Sequence, residues 1–238
     1  DEDDIIHGHL FILHGGPSRR GGVGLVLSPR AIKAWERAGQ PDPIKSGNIA
    51  GRERSIAIEL HYLDSAAQVV KYFVVSSYAP WCNGNFSDGD YSEYLLNLEE
   101  KILQRCPDDA IPIIGIDTNA SIGDVISDDY GETIQHPCDV AGKFGVRQQS
   151  ERSEPFTNFL SENGLCSTGS YFDKKCHFTH TGPTGNRREI DHILLPRRHL
   201  RGTMRFDIVG GLESDHMLLR IKVRIAAFIP KKRREENP

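Results

Sequence analysis

The residues best suited to chemistry come in three short polar clusters, each beside an apolar run. They are "GIDTNA" with Asp117 and Asn119, "REIDHILL" with Asp191, and "ESDHMLL" with Ser214, Asp215 and His216. A carboxylate orients a water or binds a hard cation, and a carboxamide donates to a phosphate oxygen. A carboxylate beside an imidazole fixes its tautomer and stabilises its cation. If the strand conformation persists through Thr118, its period of two puts Asp117 and Asn119 on one face. Any one of these pairs is more often a turn former. Their joint occurrence suits hydrolysis of a phosphate ester. In each Asp-His dipeptide a strand would point the two side chains to opposite faces, so only one member of each need serve a site. His192 therefore reads as a packing or surface histidine.

The positioning elements follow from periodicity. "IIHGHLFIL" (5 to 13) reads as one strand, and "VGLVLSP" as a strand buried on both faces. "PRAIKAWERAGQ" predicts a short helix ending at Gly39. "RSIAIELHYL" and "VVKYFVVSSYAP", separated by "DSAAQ", predict antiparallel neighbours. "SDGDYSEYLLNLEEKILQRCP" has amphipathic spacing, with Tyr94, Leu95, Leu98, Ile102 and Leu103 on one side. "AIPIIGID" then reads as a central strand, and residues 121 to 152 as a polar excursion longer than ordinary loops. "SEPFTNFLSENGL" predicts a helix with Ser153 as N-cap and an Asn-Gly stop. Strand-like "CHFTHTG", "EIDHILLP", "MRFDIVGG" and "HMLLRIKVRI" complete the chain. Clustered strands with a few helices fit two packed mixed sheets with helices outside. Residues 1–228 read as one domain and 229–238 as a basic, disordered tail.

Composition sets outer bounds. The chain has 238 residues, enough for one large α/β domain, and contains no apolar run of the ~18–20 residues a membrane span needs. The start, "DEDDIIHGHLF", lacks the pattern of a signal peptide. Five scattered cysteines without C-x-x-C read as reduced thiols of an intracellular protein. Cys176, His177 and His180 of "CHFTH" lack the fourth ligand and paired spacing of a zinc site, and read as a polar strand entry. The net charge of -4 argues against a histone-type binder. The distribution is uneven: residues 186 to 205 hold six arginines against Glu189 and Asp191, while 124 to 139 hold five acids and no Lys or Arg. That arginine stretch tilts the expected substrate toward nucleic acid.

In order, "RGGVGLVLSP", "VVSSYAP", "IIGIDTNASIG", "FTNFLSENGL", "HFTHTG", "REIDHILL" and "SDHMLL" resemble the endonuclease/exonuclease/phosphatase superfamily. The closest resemblance is to the endonuclease domain of non-LTR (LINE-like) retrotransposons. It covers residues 10 to 228 and implies a DNase I-like fold, a four-layer α/β sandwich of two packed mixed sheets flanked by helices. It also implies Mg²⁺ or Mn²⁺ dependence, DNA as substrate, a reverse transcriptase as partner domain and a nuclear location. Carried over by position, Tyr78 contacts the scissile phosphate, Asp117 orients the attacking water and Asn119 binds the phosphate. Thr179 lies near the phosphate site, Asp191 pairs with His216, Asp215 lies at the metal, and His216 stabilises charge on the phosphoryl group.

Departures from the family pattern shape the remaining expectations. "GIDTNA" stands where "GDFNA" is commoner, Thr179-His180 replaces the family's "TW", and Trp81 follows the "YAP". The family's first strand, ending in Asn, and its next, carrying the principal metal-ligating Glu, normally precede the region where this chain starts. Glu2 is a poor substitute, since it ends no apolar strand. The domain is therefore expected to lack its N-terminal segment and to be inactive as it stands. Two other readings remain open: a phosphodiesterase or phosphatase acting on RNA, lipid or inositol phosphates, and a non-catalytic fragment that binds nucleic acid.

Overall fold

The computed structural model describes residues 4–15, 22–46, 48–49, 52–81, 87–122, 125–127, 133–135, 140–145, 150–210 and 213–225. In chain order the strands begin with β1 (Asp4–Ile6), β2 (His9–Gly15), β3 (Gly22–Leu27), β4 (Ile44–Lys45), β5 (Asn48–Ile49), β6 (Arg52–Glu53), β7 (Ser55–Leu63) and β8 (Val69–Tyr78). They continue with β9 (Ala110–Asp117), β10 (Val125–Ser127), β11 (Thr133–Gln135), β12 (Leu165–Ser167), β13 (His180–Thr181), β14 (Arg187–Arg188), β15 (Asp191–Pro196), β16 (Thr203–Val209) and β17 (Leu218–Val223). The α-helices are α1 (Pro29–Arg37), α2 (Asp88–Asn97) and α3 (Ser153–Glu162).

A six-stranded mixed sheet in the order β12-β15-β9-β8-β7-β4 forms the centre. β7 and β8 pair antiparallel as their adjacency predicts, whereas β8 and β9, joined through α2, pair parallel. Alternation along these strands feeds two cores. Phe73, Val75, Ile114 and Ile116 pack with Tyr91, Tyr94 and Leu95 of α2 and with Phe156, Phe159 and Leu160 of α3. Ile56, Ile58, Leu60, Val70 and Tyr72 face the other way, onto Leu10, Ile12, Val23 and Leu27 of β2 and β3 and onto Ala31 and Ala34 of α1. Val223 and Ile225 join this second core from the β16–β17 pair. Full burial of an aliphatic side chain such as Ile114, with no exposed surface, contributes about 1.5–3 kcal/mol. The result is a DNase I-like α/β fold: mixed β layers with helices outside.

Several local expectations change. The single strand over 5 to 13 is a hairpin, β1–β2, because His7 and Gly8 both take positive φ (50° and 77°), the backbone of a tight two-residue turn. β3 is not buried on both faces, since Val26 is 55% exposed. Ser153 opens α3 as its first helical residue and does not cap it. Its hydroxyl instead donates to the Ser121 carbonyl, tying the helix to the turn after β9. The helix after Ser87 widens into a π turn over Leu98–Ile102, which keeps both end residues buried. Of the excursion over 121 to 152, residues 123–124, 128–132, 136–139 and 146–149 lie outside the described residues, and the described part includes the antiparallel pair β10–β11; the tail over 229 to 238 also lies outside them.

Candidate active site

Three adjacent strands bring chemical side chains into one row. Tyr78 at the end of β8 stands opposite Asp117 at the end of β9, and Asp191 at the start of β15 stands opposite the same Asp117. The carbonyl of Asp117 accepts from the Ala79 N–H at 2.8 Å, which continues the ladder past Tyr78. Asp191 and His192 diverge as a strand requires. Asp191 is half-buried in the row, while His192 is buried between the Ser167 hydroxyl (3.0 Å) and the Ala120 carbonyl (3.1 Å). Burial lowers the pKa of His192, in keeping with a packing role.

Asp117 and Asn119 come together by a turn, because β9 ends at Asp117 and the period-two argument lapses there. Asn119 takes φ 50°, a left-handed conformation that asparagine tolerates better than most residues. Its N–H donates to Asp117 Oδ1 at 3.1 Å, and its Nδ2 donates to the Ala79 carbonyl at 3.2 Å. The intervening Thr118 faces inward without exposed surface, its single hydroxyl proton lying between the carbonyls of Ala120 (2.8 Å) and Ile190 (2.9 Å). The residue inserted between acid and amide therefore acts as the peg of the turn.

The second half of the row is assembled by a short ribbon. Thr179 N–H donates to the Arg188 carbonyl on one side, and the Thr179 carbonyl accepts from Met217 N–H on the other. Thr181 N–H donates to the Asp215 carbonyl, and His180 bridges to His216. This places His216 Nδ1 3.0 and 3.1 Å from the two carboxylate oxygens of Asp191. Thr179, expected near the phosphate site, is buried behind Asp191. It has no exposed surface, and its hydroxyl accepts from the N–H groups of Ile190 and Asp191, both at 3.0 Å. It is a positioning residue beneath Asp191.

Electrostatics follow from this geometry. The hydrogen bond to Asp191 holds the His216 pKa up at about 9, so the ring is an imidazolium at neutral pH. Burial, followed by the neighbouring charge of Asp191, raises Asp117 to about 6, against the lowering influence of the Asn119 N–H. Asp215 adds to that repulsion. Three carboxylates thus surround one cationic ring, an excess of negative charge that a divalent cation would offset. Two sets, Asp117/Asp191/His216 and His180/Asp215/His216, have ligand atoms within 4.8 Å of one another. The first set, with two carboxylates, fits a hard cation such as Mg²⁺ or Mn²⁺, whereas the second offers two imidazoles and a single carboxylate and does not. Cys176 and His177 belong to neither set, and instead contact the carbonyls of Phe178 and Phe144. Glu2 lies outside the described residues.

Sequence reasoning missed two buried arginines. The Arg54 guanidinium lies 5.2 Å from the Tyr78 ring and reaches the carbonyls of Tyr78 and Ala79, and Arg152 donates to the Pro80 carbonyl. Both are almost fully buried, and together they grip the "YAP" backbone. No local pattern separates them from solvated arginines. His180, read from the sequence as part of a polar strand entry, stands at the site: its ring lies 4.7 Å from that of His216, with Nε2 3.6 Å from Asp215.

No family model matches the chain, and no curated protein does so either. Solved structures do. The 3'-5' exonuclease NExo from Neisseria meningitidis aligns with TM-score 0.60 at 16% identity, over 91% of this chain and 80% of its own. The catalytic domain of Xenopus laevis APE2 gives 0.57 at 16%, over 94% and 80%. The endonuclease domain of TRAS1, a telomere-specific non-LTR retrotransposon, gives 0.53 at 13%, over 92% and 80%. These likenesses show the endonuclease/exonuclease/phosphatase fold.

Proposed function

We propose that this chain, built on that fold, carries the active site of a divalent-metal-dependent endonuclease that hydrolyses DNA phosphodiester bonds. The observation that carries the reading is the row Tyr78–Asp117–Asp191 with His216 bound through Nδ1 to Asp191. Asp117, at about 6, is ionised at neutral pH yet basic enough to orient a water and take its proton. His216 engages Asp191 with Nδ1 and so presents Nε2–H to a phosphoryl oxygen as negative charge develops there. Such preorganised donors contribute on the order of 3–4 kcal/mol in active sites. Asn119 and Tyr78 bind the phosphate from the other side. Asp215, with Asp117 or Asp191, would hold Mg²⁺ or Mn²⁺, which when bound neutralises charge on the phosphoryl oxygens.

Similarity to the endonuclease domain of TRAS1, a non-LTR retrotransposon, supports a role as a retrotransposon endonuclease; nicking of target DNA, a reverse transcriptase partner and a nuclear location are what the sequence resemblance implies. A further carboxylate for the metal is part of this proposal. The layer opposite the central sheet consists of β1–β3 and β16–β17, two pieces whose described edges β3 and β17 are not paired to each other. The Glu that the family resemblance implies would complete the metal's ligands. The test is nicking of supercoiled plasmid with Mg²⁺ or Mn²⁺, using this chain and a version extended at its N-terminus. Nicking by the extended form, abolished in Asp117→Ala and His216→Ala, is expected. Absence of metal-dependent nicking by both forms refutes the proposal.

One observation favours a second reading, a phosphodiesterase on another substrate. Among the arginines of 186 to 205, only Arg187 and Arg188 of β14 belong to the ribbon beside the site, whereas Arg197 and later arginines follow the far end of β15. A hydrolysis screen on RNA, inositol phosphates and lipid phosphates separates the two.

A further inference from the structure

Two apolar side chains of β9 are left partly uncovered. Ile111 and Ile113 belong to a strand with apolar neighbours on both faces, yet both remain only half-buried. Above them lies a cavity of about 640 Å³, whose apolar surface is completed by Tyr72, Leu195 and Val223. That volume lies within the range of small-molecule sites. The Tyr72 hydroxyl donates to the Arg224 carbonyl at 3.3 Å and closes one side. Four arginines, Arg197, Arg198, Arg201 and Arg224, join the lining with His199 and Gly202, and no acidic side chain lines it among the described residues. Asp108 and Asp109 stand on the adjoining surface, which shares Arg198 and His199 with this one.

The cavity is remote from the row of Tyr78, Asp117 and Asp191. Ile111 and Asp117 are at opposite ends of β9, about 20 Å apart at ~3.3 Å per residue. β15 runs antiparallel to β9, so its far end carries Arg197 to this side.

We propose that this cavity is a second ligand site, separate from the hydrolytic one, for an amphiphilic anion: a carboxylate or phosphate monoester on a hydrocarbon or aromatic body. A neutral apolar ligand would have no use for the arginines, and a bare inorganic anion would leave the Ile111–Ile113 floor uncovered. Guanidinium groups match carboxylate and phosphate oxygens in paired hydrogen bonds, which suits the charged head. The apolar body covers the floor.

Titration calorimetry with decyl phosphate, below its micellar concentration, tests the assignment against decanol, inorganic phosphate and a short DNA duplex. Decyl phosphate is expected to bind one to one, at least tenfold more tightly than decanol or phosphate, and without displacement by the duplex. Arg201→Glu and Arg224→Glu are each expected to weaken it at least tenfold. Gly202→Trp is a second kind of variant, because a Cβ at Gly202 meets nothing within 4 Å while a larger ring would fill the mouth. It is expected to abolish binding with the unfolding temperature unchanged. No binding overturns the proposal. So does binding equalled by decanol, which marks an apolar void only, or by phosphate or the duplex, which marks a surface anion patch only.

Discussion

Asp117→Asn tests whether the proposed site stores destabilising charge. In the folded chain burial and Asp191 raise the Asp117 pKa from 3.8 to about 6. A group with a raised folded pKa favours the fold while protonated, fully so below 3.8, and loses that contribution as pH rises through 6. About two pH units correspond to ~3 kcal/mol by which ionised Asp117 opposes folding at pH 7.5. Asparagine keeps the shape and an oxygen for the Asn119 N–H, and removes the charge. Allowing for relaxation and partial solvent access, the variant is expected to be about 1–3 kcal/mol more stable at pH 7.5, or ~2–12 °C in unfolding temperature. The gain should disappear near pH 4, where both proteins are neutral at this position. Mg²⁺ should shrink it at pH 7.5, since a bound cation relieves the same repulsion. Denaturant titrations at both pH values, with chelator and with Mg²⁺, measure these differences. A variant no more stable at pH 7.5, or a gain independent of pH, would refute the account of the site as an uncompensated carboxylate cluster.

Asp191→Asn removes the partner that holds His216 near 9, so the His216 titration followed by NMR should fall toward 6.5; the alkaline limb of any metal-dependent nicking should move down with it. An unmoved imidazole titration would disprove the pairing. Thr179→Val strips the acceptor from the N–H groups of Ile190 and Asp191, and should cost about 1–3 kcal/mol while lowering kcat more than it raises KM. Lys174 and Glu189 form a nearly fully buried ion pair at 2.8 Å just before Asp191. Lys174→Met alone should destabilise by about 3–5 kcal/mol, and the double variant Lys174→Met/Glu189→Leu by clearly less, as read from denaturant midpoints.

Periodicity was a sound guide where burial imposes it. β7, β8 and β9 have strong apolar patterns because both of their faces contribute to cores, and α1 ends at Arg37, two residues before Gly39, whose positive φ of 87° fits the stop signal. It misled where a turn or a distant partner decides. Nothing local says that His7-Gly8 folds the first apolar run into a hairpin, or that the Ser153 hydroxyl is taken by Ser121 before it can cap a helix. At the site, residue types were legible and their roles less so. The motif marks Thr179 as a site residue, but its hydroxyl is committed to the N–H groups of Ile190 and Asp191, which depends on the ribbon β13–β14 leading into β15. Arg54 and Arg152 were invisible because guanidinium burial is decided by the carbonyls that receive it.

The arginine stretch shows why a charge window is a weak guide to a binding surface. Residues 186 to 205 carry a local excess of positive charge, but β15 occupies six of those positions and carries the chain about 20 Å. Arg187 and Arg188, both exposed, stay beside Asp191, while Arg197, Arg198 and Arg201 are delivered to the opposite end of the sheet. One run of sequence therefore contributes to two separate surfaces: a pair of cations beside a cluster of carboxylates, and an arginine rim around an apolar floor. Of these two surfaces, only the first lies where a phosphodiester at Asp117 would pass, so under the proposed function Arg187 and Arg188 are the members of this stretch that would attract DNA to the site.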